Sequence, residues 1–95
     1  MIPPPVNRDI LTLRQQVDQI NHDLAALFVK RLEMTEKISQ IKAEKALPTH
    51  DLEREKHMLE SIMENYSDCP QKKWVKSFLT QVFSLSLEYL RQKHP

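Results

Sequence analysis

Three polar side chains fall on helix faces that the sequence pattern predicts to be buried: Arg31, Glu55 and Ser86. Leaving a buried charge or hydroxyl without a partner costs roughly 1–3 kcal/mol or more, so each needs one. Each also has a simple structural explanation. A polar seam residue can set helix register, a carboxylate can sit in a salt bridge, and a small residue lets helices approach closely.

Nearby cationic residues favour a ligand site over a purely structural network. Arg14, Arg31, Lys42 and Arg54 supply more positive groups than Glu55 can balance. A structural network tends to balance its charges, whereas an excess of guanidinium and ammonium donors is suited to an anion. We therefore expect a small ligand that carries one or more carboxylates.

The composition excludes several other kinds of site. The chain contains no glycine, so Gly-rich phosphate loops and dinucleotide fingerprints are absent. It has 14 Lys+Arg and 13 Asp+Glu, with a formal net charge of +1, which indicates no bias toward nucleic acid or membranes. His57 follows Glu53 at a possible metal spacing, but a third ligand is lacking. We expect no metal and no cofactor.

The expected location is the cytoplasm. The chain has one cysteine, Cys69, so an internal disulfide is impossible and a reducing compartment is expected. The N-terminal residues lack the apolar core of a signal peptide, and no apolar run is long enough to span a bilayer.

The pattern of apolar residues and helix breakers predicts an all-α fold. Residues 1–7, with three prolines, are predicted to be a flexible tail, and residues 8–95 a single helical domain. Helices are expected over residues 8–46, where Pro48 ends the first, over 51–65, and over 71–92. Strand signals are absent.

The first helix carries an apolar stripe that repeats in steps of three and four. Its members are Ile10, Leu13, Val17, Ile20, Leu24, Leu27, Arg31, Met34, Ile38 and Ile41. The helix is roughly 55 Å long, whereas a compact domain of this size is about 30 Å across. The rest of the chain cannot cover such a stripe, which predicts a homodimer, either antiparallel or intertwined.

Helix length also constrains a shared site. Arg31 and Lys42 are about 16 Å apart along the axis, within the combined reach of two long side chains. Arg14 and Lys42 are roughly 42 Å apart on a straight helix. If Arg14 joins the same site, it must come from the other subunit.

Three runs combine in one pattern: LRQQVDQINHDLAALFVKR (13–31), IK (41–42) and LPTHDLERE (47–55). In these motifs and their spacing, the sequence resembles the all-helical class of chorismate mutases, and the resemblance extends from about Leu11 to Leu90. That family forms an intertwined dimer of three-helix chains and converts chorismate to prephenate without a cofactor. The resemblance implies that Arg31, with Arg14 of the partner subunit, holds the two substrate carboxylates. It also implies that Lys42 bonds a carboxylate and the ether oxygen.

The remaining positions follow from the same resemblance. Asp51 and Glu55 are expected to hold the region of the ring hydroxyl. Arg54 is expected to line the pocket, and Ser86 to add a hydrogen bond to the substrate.

One position departs from the family pattern. The family usually has Gln or Glu four residues after the third-helix Ser, and here that position is Leu90. Two other Ser-x-x-x-(Gln/Glu) pairs, 77–81 and 84–88, lie on the polar side of the helical projection, so Ser86 is retained. Activity is predicted to be present but weak.

Two alternatives remain open at the level of sequence. Isochorismate-pyruvate lyases are similar to this family and use a similar cationic pocket, although Asp51-x-x-Arg54-Glu55 favours the mutase. A non-catalytic helical interaction or regulatory module is the other alternative, and Leu90 is its best support. A shikimate-pathway enzyme is a possible partner that activates the chain.

Overall fold

The structure, a computed structural model, describes residues 7–48 and 52–93 as three α-helices and their connections. The helices are α1 (Arg8–Glu44), α2 (Leu52–Glu64) and α3 (Lys72–Lys93), and no strand occurs in these two ranges. The all-α prediction is confirmed, with helix ends within two residues of those expected. Asp51 lies outside the described residues.

Helix α1 begins with a side-chain cap. The Asp9 backbone N–H donates to the Asn7 Oδ1 at 2.8 Å, and the Leu11 N–H donates to the Asn7 carbonyl at 3.1 Å. Asparagine is among the preferred N-cap residues because its oxygen satisfies an N–H group that has no partner within the helix.

The end of α1 is a left-handed turn built without glycine. Ala46 has a φ of 53°, and its N–H donates to the Ala43 carbonyl at 3.3 Å. The Leu47 N–H donates to the Lys42 carbonyl at 2.8 Å. This pair of bonds is the Schellman arrangement. It ends the helix at Glu44, two residues before the predicted end, because Ala46 has left the helical conformation.

Helix α3 packs against α2, and the chain between them turns tightly. The Lys72 N–H donates to the Cys69 carbonyl at 3.1 Å, and the Trp74 N–H donates to the Gln71 carbonyl at 2.9 Å. The Cys69 thiol lies 3.1 Å from the Gln71 Oε1. Cys69 therefore belongs to the connection, as the sequence predicted.

The chain divides into two compact units, Met1–Glu33 and Met34–Pro95. The first contains the larger part of α1, and the second contains the last turns of α1 together with α2 and α3. Within the described ranges, no helix combines the length and apolar character that crossing a membrane requires.

The apolar stripe of α1 is exposed in the protomer. Its nine apolar members have exposed fractions of 43–64%: Ile10, Leu13, Val17, Ile20, Leu24, Leu27, Met34, Ile38 and Ile41. Among the described residues no apolar side chain is fully buried. The single chain therefore leaves its most regular apolar surface uncovered.

A second face of α1 is partly shielded. Its half-buried residues are Phe28, Arg31, Leu32, Thr35, Glu36, Ser39 and Lys42. At about 100° per residue, the positions 35, 39 and 42 are rotated about a quarter turn from the stripe positions 34, 38 and 41. Only Arg31 belongs to both faces. The sequence pattern did not predict this largely polar face.

Large apolar side chains on the other two helices are also exposed. They are Leu52 on α2 and Trp74, Phe78 and Leu85 on α3. At about 100° per residue, positions 74, 78 and 85 lie within about 40° of one another, so they form one exposed apolar strip along α3.

Candidate active site

Ser86 is the one buried residue in the described part of the chain, with 4% of its surface exposed. Ser77, Gln81, Ser84 and Glu88 of α3 are exposed. The helical projection predicted both results: Ser86 on the buried side of α3, and the other four residues on the polar side. Ser86 is therefore the third-helix serine that faces the interior, and its contact with a ligand stays a prediction.

The Ser86 hydroxyl donates to the backbone carbonyl of Val82, one turn earlier, at 2.7 Å. A serine hydroxyl has one donor hydrogen and two acceptor lone pairs. To donate to a ligand, the hydroxyl would have to redirect its hydrogen by rotation about the Cβ–Oγ bond and give up this bond, at a cost of about 1 kcal/mol. Accepting a hydrogen bond from a ligand leaves the bond to Val82 in place.

Glu55 and Arg54 lie in the first turn of α2. Glu55 is half-buried and Arg54 is exposed. The positive end of the helix dipole at this terminus favours a carboxylate. Both residues interact with other groups of the protein. The remaining carboxylate predicted for this turn, Asp51, lies outside the described residues.

Lys42 occupies the last turn of α1 and is half-buried. The C-terminal end of a helix favours a cation, and a lysine stem can be covered by protein while its ammonium group stays accessible to a ligand. Lys42, Glu55 and Ser86 come from three different helices and lie in the same unit, Met34–Pro95.

Arg14 and Arg31 belong to the other unit, Met1–Glu33. Arg14 is exposed, whereas Arg31 is half-buried and interacts with other groups of the chain. Arg31 is thus a charged member of the stripe that is partly shielded in the single chain, while its apolar neighbours on the stripe are exposed.

A contact that the sequence did not predict joins α1 to α3. The Tyr89 hydroxyl donates to the Glu36 Oε2 at 3.0 Å, and the Lys93 Nζ lies 3.7 Å from the Glu36 Oε1. Glu36 and Tyr89 are 53 positions apart, so no local spacing reveals the pair.

The fold and the half-buried polar residues define an all-helical domain with a very long first helix. A model of the family described as chorismate mutase type II matches residues 13–91. The chain belongs to that family, and the resemblance seen in the sequence is confirmed.

Two solved structures share the fold. Chorismate mutase (form II) from Thermus thermophilus aligns with a TM-score of 0.80 at 24% identity, covering 87% of this chain and 94% of that chain. Form I from the same organism aligns with a TM-score of 0.73 at 25% identity, covering 82% of this chain and 98% of that one.

A curated relative is similar in sequence. The bifunctional chorismate mutase/prephenate dehydratase of Buchnera aphidicola subsp. Acyrthosiphon pisum is 32% identical over 85 residues. The match takes in 88% of this chain but only 21% of that relative, so the chain spans about a fifth of the relative's length. Together these findings support chorismate mutase as the function and do not favour the lyase.

Proposed function

We propose that this chain converts chorismate to prephenate in a cationic site built inside a helical dimer. The observation that carries the proposal is the shielding of Lys42, Glu55 and Ser86 on three helices of a chain that the family model matches from residue 13 to 91. The match also supports treating residues 8–95 as one chorismate mutase domain.

The proposed reaction requires substrate binding and electrostatic stabilisation rather than a nucleophile. The rearrangement is intramolecular: a C–O bond breaks as a C–C bond forms within one molecule. An enzyme accelerates it by holding a compact conformer and by stabilising charge where the ether bond breaks. The planar forks of Arg14 and Arg31 suit the two carboxylates. The point charge of Lys42 suits the ether oxygen.

The remaining proposed contacts orient the ring. Asp51 and Glu55 would hold the region of the ring hydroxyl, Arg54 would line the pocket, and Ser86 would exchange a hydrogen bond with the substrate. No proton transfer is required from any of them.

A homodimer is part of the proposal. Support comes from the stripe on α1, whose apolar residues are 43–64% exposed in the protomer. A stripe along such a long helix, repeating every three or four residues, is suited to a second helical chain. Two identical sites would follow from a twofold axis, each taking Arg14 from the partner subunit.

The direct test is the ultraviolet absorbance of chorismate, which decays as the substrate is consumed. Purified protein should cause the decay and yield prephenate, and Lys42→Ala should lower kcat by about 10²–10³-fold. Lys45→Ala is the matched control, because Lys45 is exposed just after the end of α1 and should leave the rate unchanged.

The outcomes separate the alternatives. Absence of prephenate from a well-folded dimer, both alone and with other shikimate-pathway enzymes added, would overturn the proposal. Consumption of isochorismate with release of pyruvate would indicate the lyase instead. Decay of chorismate only after another shikimate-pathway enzyme is added would show that the chain needs a partner for activity.

A mixing experiment tests the shared site. Arg14→Ala and Lys42→Ala should each be nearly inactive, and their heterodimer should recover about half of the wild-type activity, because one of its two sites has both residues intact. A purified heterodimer that stays inactive would contradict a site shared between subunits.

A further inference from the structure

The Glu36–Tyr89–Lys93 cluster joins the last turns of α1 to the C-terminal half of α3. Its central bond is the 3.0 Å hydrogen bond from the Tyr89 hydroxyl to the Glu36 carboxylate. The Lys93 ammonium lies 3.7 Å from the other carboxylate oxygen and 5.9 Å from the centre of the Tyr89 ring. All three residues belong to the unit Met34–Pro95.

The two contacts of Glu36 differ in strength. The Glu36 side chain is 21% exposed, whereas that of Lys93 is 52% exposed. An ion pair at that exposure contributes little and is screened by salt. The hydrogen bond from Tyr89 has a charged and better-shielded acceptor, which strengthens it, and its 3.0 Å length lies within the range of directional hydrogen bonds. The Glu36–Tyr89 bond is therefore the main contact of the cluster.

The cluster lies close along both helices to residues of the proposed site. Ser86 precedes Tyr89 by three residues, about 4.5 Å along the α3 axis and on the same side of that helix. Lys42 follows Glu36 by six residues, about 9 Å along α1 and about 120° around it, and both side chains are half-buried. One bond thus ties the segment that carries Ser86 to the segment that carries Lys42.

Apolar packing alone leaves the rotation of a helix weakly determined. The inward neighbours of Tyr89 on α3 are apolar or small, and apolar contacts have little directional preference. A hydrogen bond between two helices restricts both sliding and rotation, because it weakens steeply away from its preferred distance and angle. A shift of about 1 Å in a reacting site can cost as much as 10²-fold in rate.

We propose that Glu36 and Tyr89 are positioning residues that hold α3 in the rotation that places Ser86 correctly relative to Lys42. The inference rests on the proposed function. Neither residue touches the substrate in this scheme, and both act through the placement of Ser86. Lys93 plays a minor part that high salt removes.

The test is steady-state kinetics of Tyr89→Phe, Glu36→Ala and Glu36→Gln with chorismate. Tyr89→Phe removes only the hydroxyl and should lower kcat about three- to tenfold with KM nearly unchanged, because the lost alignment matters most in the transition state. Glu36→Ala should lower kcat by a similar factor, because it removes the acceptor of the same bond. Glu36→Gln keeps an oxygen that accepts from Tyr89 and should recover most of the loss.

Matched controls report only the general effects of these substitutions. Tyr66→Phe matches Tyr89→Phe at an exposed tyrosine after α2, and Glu33→Gln matches Glu36→Gln at an exposed glutamate of α1. Neither should change kcat. The double variant Glu36→Ala/Tyr89→Phe should be no slower than the slower single variant, since both remove the same bond.

Several results would overturn the inference. One is a Tyr89→Phe protein with lowered Tm but unchanged kcat and KM, which would make the bond purely structural. Another is a double variant whose losses multiply. If Tyr89→Phe does not fold, the comparison of kcat between Glu36→Gln and Glu36→Ala tests the inference by itself. A Glu36→Gln protein as slow as Glu36→Ala would then overturn it. A wild-type protein that does not convert chorismate would overturn the proposed function together with this inference, whereas an active wild type with unaffected variants would overturn only the inference.

Discussion

Leu27 offers the sharpest test of whether a second chain covers the stripe on α1. It is the most exposed apolar residue of that stripe, at 64%. Fully burying a leucine side chain stabilises by about 1.5–3 kcal/mol, so covering the exposed part contributes about 1–2 kcal/mol. A twofold dimer contains the contact twice. Leu27→Ala should then weaken association by about 2–4 kcal/mol, or roughly 30- to 1,000-fold in Kd.

Sedimentation equilibrium over a wide range of protein concentrations measures this Kd. Val29→Ala is the control, because Val29 is 53% exposed but lies about 200° around the helix from Leu27, off the stripe. Its substitution should leave the Kd within about twofold, since it removes apolar surface that no partner covers. Far-UV circular dichroism checks that both variants remain helical.

Two results would refute this reasoning. A wild-type chain that sediments as a monomer at all accessible concentrations would show that the stripe has no second copy of the chain against it. Equal effects of Leu27→Ala and Val29→Ala would show that the interface, if present, does not follow the stripe.

Two further predictions concern the ends of the helices. Leu90→Gln should raise kcat/KM by as much as about 10²–10³-fold, because it places an amide that can donate to the ether oxygen four residues after Ser86. A folded Leu90→Gln protein that is slower than wild type in the chorismate assay would mean that the third-helix alignment is wrong. Asn7→Ala should lower the free energy of unfolding by about 1 kcal/mol in urea titrations, because the Asp9 N–H loses its 2.8 Å partner; an unchanged urea midpoint would contradict the capping role.

The helices were predictable because their signals are local. Pro48 marked the end of α1, and the three-and-four repeat marked its length. The end at Glu44 was missed by two residues, since a left-handed alanine has no signature in a chain whose other turns also lack glycine.

The candidate site was predictable only in part. A projection at 100° per residue was enough to place Ser86 inward and to reject the serines on the polar side. The half-buried face of α1 was missed because a search for apolar periodicity passes over Thr35, Ser39 and Glu36. The bond between Glu36 and Tyr89 was missed because it depends on how two distant segments pack.

The turn after α1 has a consequence for how this protein can evolve. Holding Ala46 at a φ of 53° costs about 1–2 kcal/mol that glycine would not incur. Any alanine codon becomes a glycine codon by a change at its second base, so relief of this strain is within immediate mutational reach. The strained turn closely follows Lys42, whose carbonyl it caps. Selection for thermal stability can therefore act on this turn without altering any side chain proposed to contact the substrate.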